Sequence, residues 1–278
     1  MNYLESFIEL ALQEDVGSGD HSSLSCIPST AKGKAQLLIK DDGILAGVEV
    51  AKTIFNKVDP ELKLDIYISD GARVQYGDIG LIVSGANLSI LKAERLVLNC
   101  MQRMSGIATK TNQFVELTNG TNACVLDTRK TTPGIRFLEK EAVRIGGGKN
   151  HRMGLYDMIM LKDNHVDFAG GIDAAITKAN EYVKTNNLSL DIEIEVRNFD
   201  ELKQVLQVGG VQRIMLDNFK PDLIKEALML INKRFETEAS GGITLETIRS
   251  YAETGVDFIS VGALTHSFKS MDISLKAI

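Results

Sequence analysis

The 278-residue chain carries 31 Lys and Arg against 37 Asp and Glu, a formal net charge of −6, with 44% hydrophobic residues, enough for a sizeable buried core. An acidic chain with no broad basic face excludes nucleic acid as the main partner. No apolar run reaches the roughly 18 to 20 residues of a bilayer span, and the opening MNYLESFIELALQEDVG is acidic and amphipathic, not a secretory signal; a cytoplasmic protein that engages no membrane is expected.

Residues 3–15 predict a helix with Leu4, Phe7, Ile8, Ala11 and Leu12 on one face, ending at Val16-Gly17-Ser18-Gly19-Asp20. Short strands follow at 35–39, 62–68 and 80–83, with a helix over 48–58 among them and a Gly71/Gly77 turn between the last two strands. This α+β region has no βα rhythm and little in it looks chemical. Residues 87–117 form a long apolar helical run that connects two domains and is expected to break or bend near Ser105-Gly106. On periodicity alone its Arg95 and Arg103 are solvated helix residues. Cys26, Cys100 and Cys124 are odd in number, widely separated and form no CxxC pair, as expected of reduced thiols.

After Gly120 a βα rhythm begins. Strands are predicted near Ala123, Asp157, Ile192, Arg213, Phe235 and Asp257, with helices over 135–145, 172–184, 199–208, 221–233 and 245–254. Successive units of this kind close into a barrel. Six strands fall short of the usual eight, so the fold class is α/β, an incomplete barrel of six to seven strands with an N-terminal α+β sandwich domain.

In such barrels the residues just past the strands converge on one face. Here they are Asp127-Thr128-Arg129-Lys130, Lys162-Asp163-Asn164-His165, Glu193 and Glu195, Asp217-Asn218, Glu238 to Gly242, and Ser260-Val261-Gly262. Within 123–165 the cations Arg129, Lys130, Arg136, Lys140, Arg144, Lys149, His151, Arg152 and Lys162 outnumber the acids, a local reversal that points to an anionic small molecule. Arg grips a planar carboxylate or phosphate with two donors, and Lys acts as a point charge. The small residues after the last two predicted strands let backbone N–H groups approach a phosphate. The constellation suits a phosphorylated, multiply anionic substrate, with carboxylates able to hold a divalent cation. GGGKN at 146–150 follows a helix and lacks phosphate-loop spacing, no GxGxxG follows a strand, and the four histidines lack zinc spacing.

The stretch DTRKTTPGIRFLEKEAVRIGGGKNHRMGLYDMIMLKDNH resembles the quinolinate phosphoribosyltransferases, also called nicotinate-nucleotide pyrophosphorylases (carboxylating). The resemblance continues through EDVGSGD, AERLVLNCMQRMSGIAT, EIEV, MLDNFKP, EASGGIT and ISVGALTHS, and so spans nearly the whole chain. It implies transfer of phosphoribosyl from phosphoribosyl pyrophosphate to quinolinate with decarboxylation, giving nicotinate mononucleotide for NAD synthesis, with Mg2+ as cofactor. It also implies a sandwich domain over 1–105 with the linking helix, a barrel over 106–266, and a tail over 267–278 returning to the first domain.

By motif position, quinolinate would be bound by Arg129, His151, Arg152 and Lys162, with Arg95 reaching in from the second subunit of a homodimer or of a larger assembly of dimers. Lys130, Lys162, Glu195 and Asp217 would be the catalytic set on the phosphoribosyl pyrophosphate side, Glu195 and Asp217 also serving the metal. Ser240, Gly241, Gly242 and Gly262 would hold the 5-phosphate. Glu141 and Lys149 depart from the family pattern without removing a named ligand. Three alternatives stay open: a near relative of the molybdenum-transport-associated type, a Schiff-base lyase using Lys162, and a sensor that binds quinolinate without turnover.

Overall fold

The computed structural model describes residues 3–278; residues 1 and 2, counted in the expected first domain, lie outside the described residues. The chain divides into two compact units, Met1–Asn112 with Thr131–Gly147 and Thr265–Ile278, and Gln113–Lys130 with Gly148–Leu264.

In chain order the first unit opens with α1 (Tyr3–Val16), α2 (His21–Cys26), β1 (Lys32–Ile39), β2 (Gly43–Ile44), α3 (Val48–Val58), β3 (Lys63–Ile66), β4 (Arg73–Val74) and β5 (Ile79–Ala86). Asp20 caps α2 by accepting the Ser23 N–H at 3.1 Å. In β1, Ala35, Leu37 and Ile39 are buried at every second position, the period-two pattern of a sheet with one covered face. α3 turns Val48, Ala51, Ile54 and Phe55 inward.

The 31-residue α4 (Asn87–Leu117) then carries the chain into the second unit. No break occurs near Ser105-Gly106: the helix is continuous. Gly106 answers a crowding problem instead, because a Cβ there would lie 2.2 Å from the Lys269 carbonyl oxygen. Arg103 also departs from its sequence reading. Its guanidinium pairs with the fully buried Glu139 and donates to Thr132 Oγ1 at 2.5 Å.

The remaining elements are β6 (Cys124–Leu126), α5 (Arg136–Ile145), β7 (Ile159–Leu161), α6 (Asp163–Ala169), α7 (Ile172–Thr185), β8 (Ile192–Val196), α8 (Phe199–Val208), β9 (Arg213–Asp217), α9 (Pro221–Ile231), β10 (Glu236–Ser240), α10 (Ile248–Ala252), β11 (Phe258–Ser260), α11 (Ala263–His266) and β12 (Ile273–Ala277). α5 belongs to the first unit, where Phe137 meets Phe7 edge-on with ring centres 6.0 Å apart. Glu141, unexpected for the family, bonds Arg144 one turn on, with Arg144 Nε donating at 2.9 Å. The first unit's main sheet has the order β12-β1-β5-β3, with β12 antiparallel to β1 from Ala35↔Ala277 to Ile39↔Ile273.

The second unit is a six-stranded sheet in the order β6-β11-β10-β9-β8-β7, parallel throughout. The end strands β6 and β7 are not paired with each other, so the barrel is open and has six strands. Ile194, Val196, Ile214, Leu216, Ala239 and Ile259 have no exposed surface, the mark of strands covered on both faces. Each strand starts close to its expected position, and the parallel register brings the six C-terminal ends to one side.

Candidate active site

Those C-terminal ends surround a cavity of about 300 Å³. β6 ends at Leu126, and the residues just beyond supply Thr128, Arg129 and Lys130 to its wall. β7 delivers Met160 and Lys162, β9 Met215, β10 Glu238 and Ser240, β11 Ser260, and the segment before β7 contributes His151 and Arg152. Of the expected site residues, Arg129, Lys130, His151, Arg152, Lys162 and Ser240 thus line one cavity. A groove of about 980 Å³ opens at the other end of the same strands, around Asp191, Gln212, Phe235 and Asp257; the residues that converge on charge are at the C-terminal end, where barrels place their chemistry.

Glu195 and Asp217 stand beside the cavity, near the ends of neighbouring strands. Lys162 Nζ is 3.6 Å from Glu195 Oε2. Burial raises the Glu195 carboxyl above its ordinary range, and the negative charges of Asp217 and Asp163 add to this while Lys162 opposes it. A pair of carboxylates that repel each other in this way is a place where a further cation is welcome. Gly241 and Gly242 follow Ser240 with φ of +102° and +60°, and Gly262 follows β11. His165, at one of the strand ends, accepts the Lys162 N–H through Nδ1 at 3.0 Å, so it caps α6.

Beneath the cations lies a buried cluster whose pairing, and whose member Arg213, sequence reasoning did not give. His151 Nε2 is 2.9 Å from Glu193 Oε2 and 3.5 Å from Glu238 Oε2. Arg213 Nη1 donates to Glu238 at 3.2 Å. Asp127, at the end of β6, accepts the His151 backbone N–H at 2.8 Å, and the Arg152 N–H points at His151 Nδ1 from 2.7 Å.

Burial alone would favour a neutral His151, but hydrogen bonds to Glu193 and Glu238, with their charges, push it up to about 9. Glu193 is also raised, by burial and by Glu238, while Glu238 is held low by His151 and Arg213 against its own burial. His151 and Glu193 therefore retain one extra proton between them. The signal for this cluster was available, since Glu193 and Glu195 share a strand face. Its partners were not, because they come from separate strands.

Arg152 is nearly buried and donates to the Met158 carbonyl at 3.2 Å. Burial and the charge of Arg129 lower its proton affinity, and both residues line the same cavity. Two like charges lining one cavity define a site for a ligand with more than one negative group. Arg95 is exposed on α4 in the first unit.

An open α/β barrel whose strand ends gather guanidinium, ammonium and carboxylate groups defines a class of small-molecule enzyme that handles polyanionic substrates. Family models identify it further: the quinolinate phosphoribosyl transferase C-terminal domain matches residues 107–276 and the N-terminal domain of the same family matches residues 20–105. The chain belongs to the quinolinate phosphoribosyltransferase family.

It is 49% identical over 288 residues to the chloroplastic nicotinate-nucleotide pyrophosphorylase [carboxylating] of Arabidopsis thaliana, covering 98% of this chain and 82% of that one. It is 40% identical to the probable nicotinate-nucleotide pyrophosphorylase [carboxylating] of Bacillus subtilis, covering 99% and 94%. The solved structure of NadC from Streptococcus pyogenes matches with a TM-score of 0.93 at 38% identity, covering 99% and 97%.

Proposed function

We infer that the protein transfers phosphoribosyl from phosphoribosyl pyrophosphate to the ring nitrogen of quinolinate, with loss of the 2-carboxylate as CO2, giving nicotinate mononucleotide and pyrophosphate for NAD biosynthesis. The observation that carries this is the single cavity walled by Arg129, Lys130, Arg152 and Lys162, with Glu195 paired to Lys162 at its edge.

Quinolinate presents two adjacent carboxylates, and Arg129 and Arg152 clamp them with paired N–H donors. Arg95 of a second subunit in a homodimer completes the clamp, supported by its exposure on α4. Holding the ring by its acids aims the nitrogen at the anomeric carbon of the sugar. As the bond to pyrophosphate breaks, positive charge grows on the ribose, where Glu195 and Asp217 favour it. Negative charge grows on the leaving group, where Lys130 and Lys162 favour it.

The N–C bond formed gives the ring a permanent positive charge. The electron pair left at C2 when CO2 departs is stabilised by that charge, and a proton then replaces the carboxylate. Ser240, Gly241, Gly242 and Gly262 receive the 5-phosphate through backbone N–H groups and the hydroxyl.

Glu195 and Asp217 fit a divalent cation, because the charge of one raises the proton affinity of the other. These two carboxylates would hold Mg2+, which would supply electrostatic neutralisation of the pyrophosphate. Among the described residues no helix is long and apolar enough to cross a membrane, and three free cysteines agree with a reducing compartment. We place the reaction in the cytoplasm.

The test is a Mg2+-dependent assay with quinolinate and phosphoribosyl pyrophosphate, following CO2 and nicotinate mononucleotide together. Binding of quinolinate without either product would replace this reading with that of a sensor. Lys162 lies in an ion pair with Glu195, half exposed, which is poor ground for a Schiff-base nucleophile; borohydride trapping of a carbonyl compound on Lys162 would favour the lyase.

A further inference from the structure

Asn218 is the residue immediately past β9, after Asp217, and it has a left-handed backbone, φ +57°. The other non-glycine residues in that region, Asn187, Asn232 and Lys233, follow helices α7 and α9, where such a turn is ordinary. Asn218 alone adopts it at a strand end on the cavity side. Left-handed backbone is disfavoured for L-residues, least for Asn and Asp, so something must hold it there.

Three observations show what does. The Asn218 N–H donates to the Ser240 carbonyl at 2.8 Å, in continuation of the β9/β10 register that sets Ser240 opposite Asp217. Phe219, the next residue, is buried and packs edge-on against Phe199 with ring centres 5.5 Å apart. The side-chain amide of Asn218 then turns back, and Nδ2 donates to Asp217 Oδ2 at 2.6 Å. The third party is Gly241. A Cβ at that position would lie 2.2 Å from Asn218 Oδ1, 2.6 Å from its Cγ and 3.0 Å from its backbone nitrogen.

We propose that Asn218 is the positioning residue for the Asp217 carboxylate, and that Gly241 lacks a side chain so that the Asn218 amide can lie between them. This rests on the functional reading above, in which Asp217 faces phosphoribosyl pyrophosphate. The amide occupies one carboxylate oxygen and fixes the plane of the group. The other oxygen, Oδ1, makes no hydrogen bond among the described residues and is left to the substrate side. Gly241 thereby has a duty beyond close approach to a phosphate.

The substitutions separate the possibilities. Asn218→Gly keeps the left-handed backbone without strain and removes only the amide. It is expected to lower kcat/KM for phosphoribosyl pyrophosphate by about 10- to 100-fold, the usual loss when a group orienting a ligand is removed, while KM for quinolinate changes by less than about twofold. Titration calorimetry with phosphoribosyl pyrophosphate and Mg2+, without quinolinate, should show the same loss of affinity. Gly241→Ala should lower the affinity at least as much, because the new Cβ displaces the amide and a φ of +102° also strains any L-residue at that position.

Thermal melting confirms that each variant is folded before kinetics are compared. Wild-type turnover is measured first: its absence would overturn the functional reading, and the inference with it. Turnover in the wild type with undiminished substrate binding and kinetics in Asn218→Gly would overturn the inference alone.

Discussion

His151 Nε2 and Glu193 Oε2 lie 2.9 Å apart with 4% and 0% of their side chains exposed. A proton retained by this pair in the folded protein stabilises it fully below the unfolded pKa of histidine, near 6.5. The contribution is lost as pH rises through about 9. The melting temperature should therefore be higher at pH 6.5 than at pH 9.5. A stability difference of about 2 kcal/mol corresponds to roughly 4–8 °C in a protein of this size. A His151→Gln variant should show a flatter profile in the same scanning fluorimetry series.

Arg129 is exposed at the cavity wall and its charge reaches Arg152. Arg129→Ala is expected to cost about 2–4 kcal/mol of quinolinate binding, as for loss of a paired charge-assisted contact. Steady-state kinetics should show KM for quinolinate rising far more than KM for phosphoribosyl pyrophosphate. Unchanged kinetics would remove Arg129 from the site.

If Arg95 serves the second subunit, Arg95→Ala and Arg129→Ala homodimers are each inactive, and a mixture is not. Random exchange makes half the dimers hybrid, each with one intact site, so about a quarter of wild-type activity should return. Subunit exchange followed by fluorescence transfer between labelled copies supplies the control; proven exchange with no recovery would refute the shared site.

Gly106 tests the close crossing on α4. Gly106→Ala sets a methyl group 2.2 Å from a carbonyl oxygen of the backbone at Lys269, which has no flexible end to move aside. Destabilisation of about 1–3 kcal/mol is expected from overpacking, measured by urea unfolding, although alanine is the better helix former.

The strand ends were the most legible part of the sequence. Short apolar runs that stop abruptly at Arg129 or Lys162 betray both the strand and the face on which the charge emerges. The break in α4 and the solvation of Arg103 were misjudged for a shared reason. Gly106 and Arg103 sit on a helix whose periodicity is blind to what crosses it, and their partners, Lys269 and Glu139, are distant in the chain. The pairing within the His151 cluster escaped for the same cause: Glu193, Arg213 and Glu238 belong to three strands, and only the parallel register of β8, β9 and β10 makes them neighbours. The glycines past β10 were read as a phosphate cradle, and the crowding of Gly241 against Asn218 became visible only with coordinates.

The pairing of β12 with β1 has a consequence for biogenesis. On the ribosome β1 emerges early, yet its neighbour on one side is not synthesised until the entire barrel has been translated. The nascent chain must carry an open sheet edge throughout that interval, with the hazard of intermolecular pairing that such edges bring.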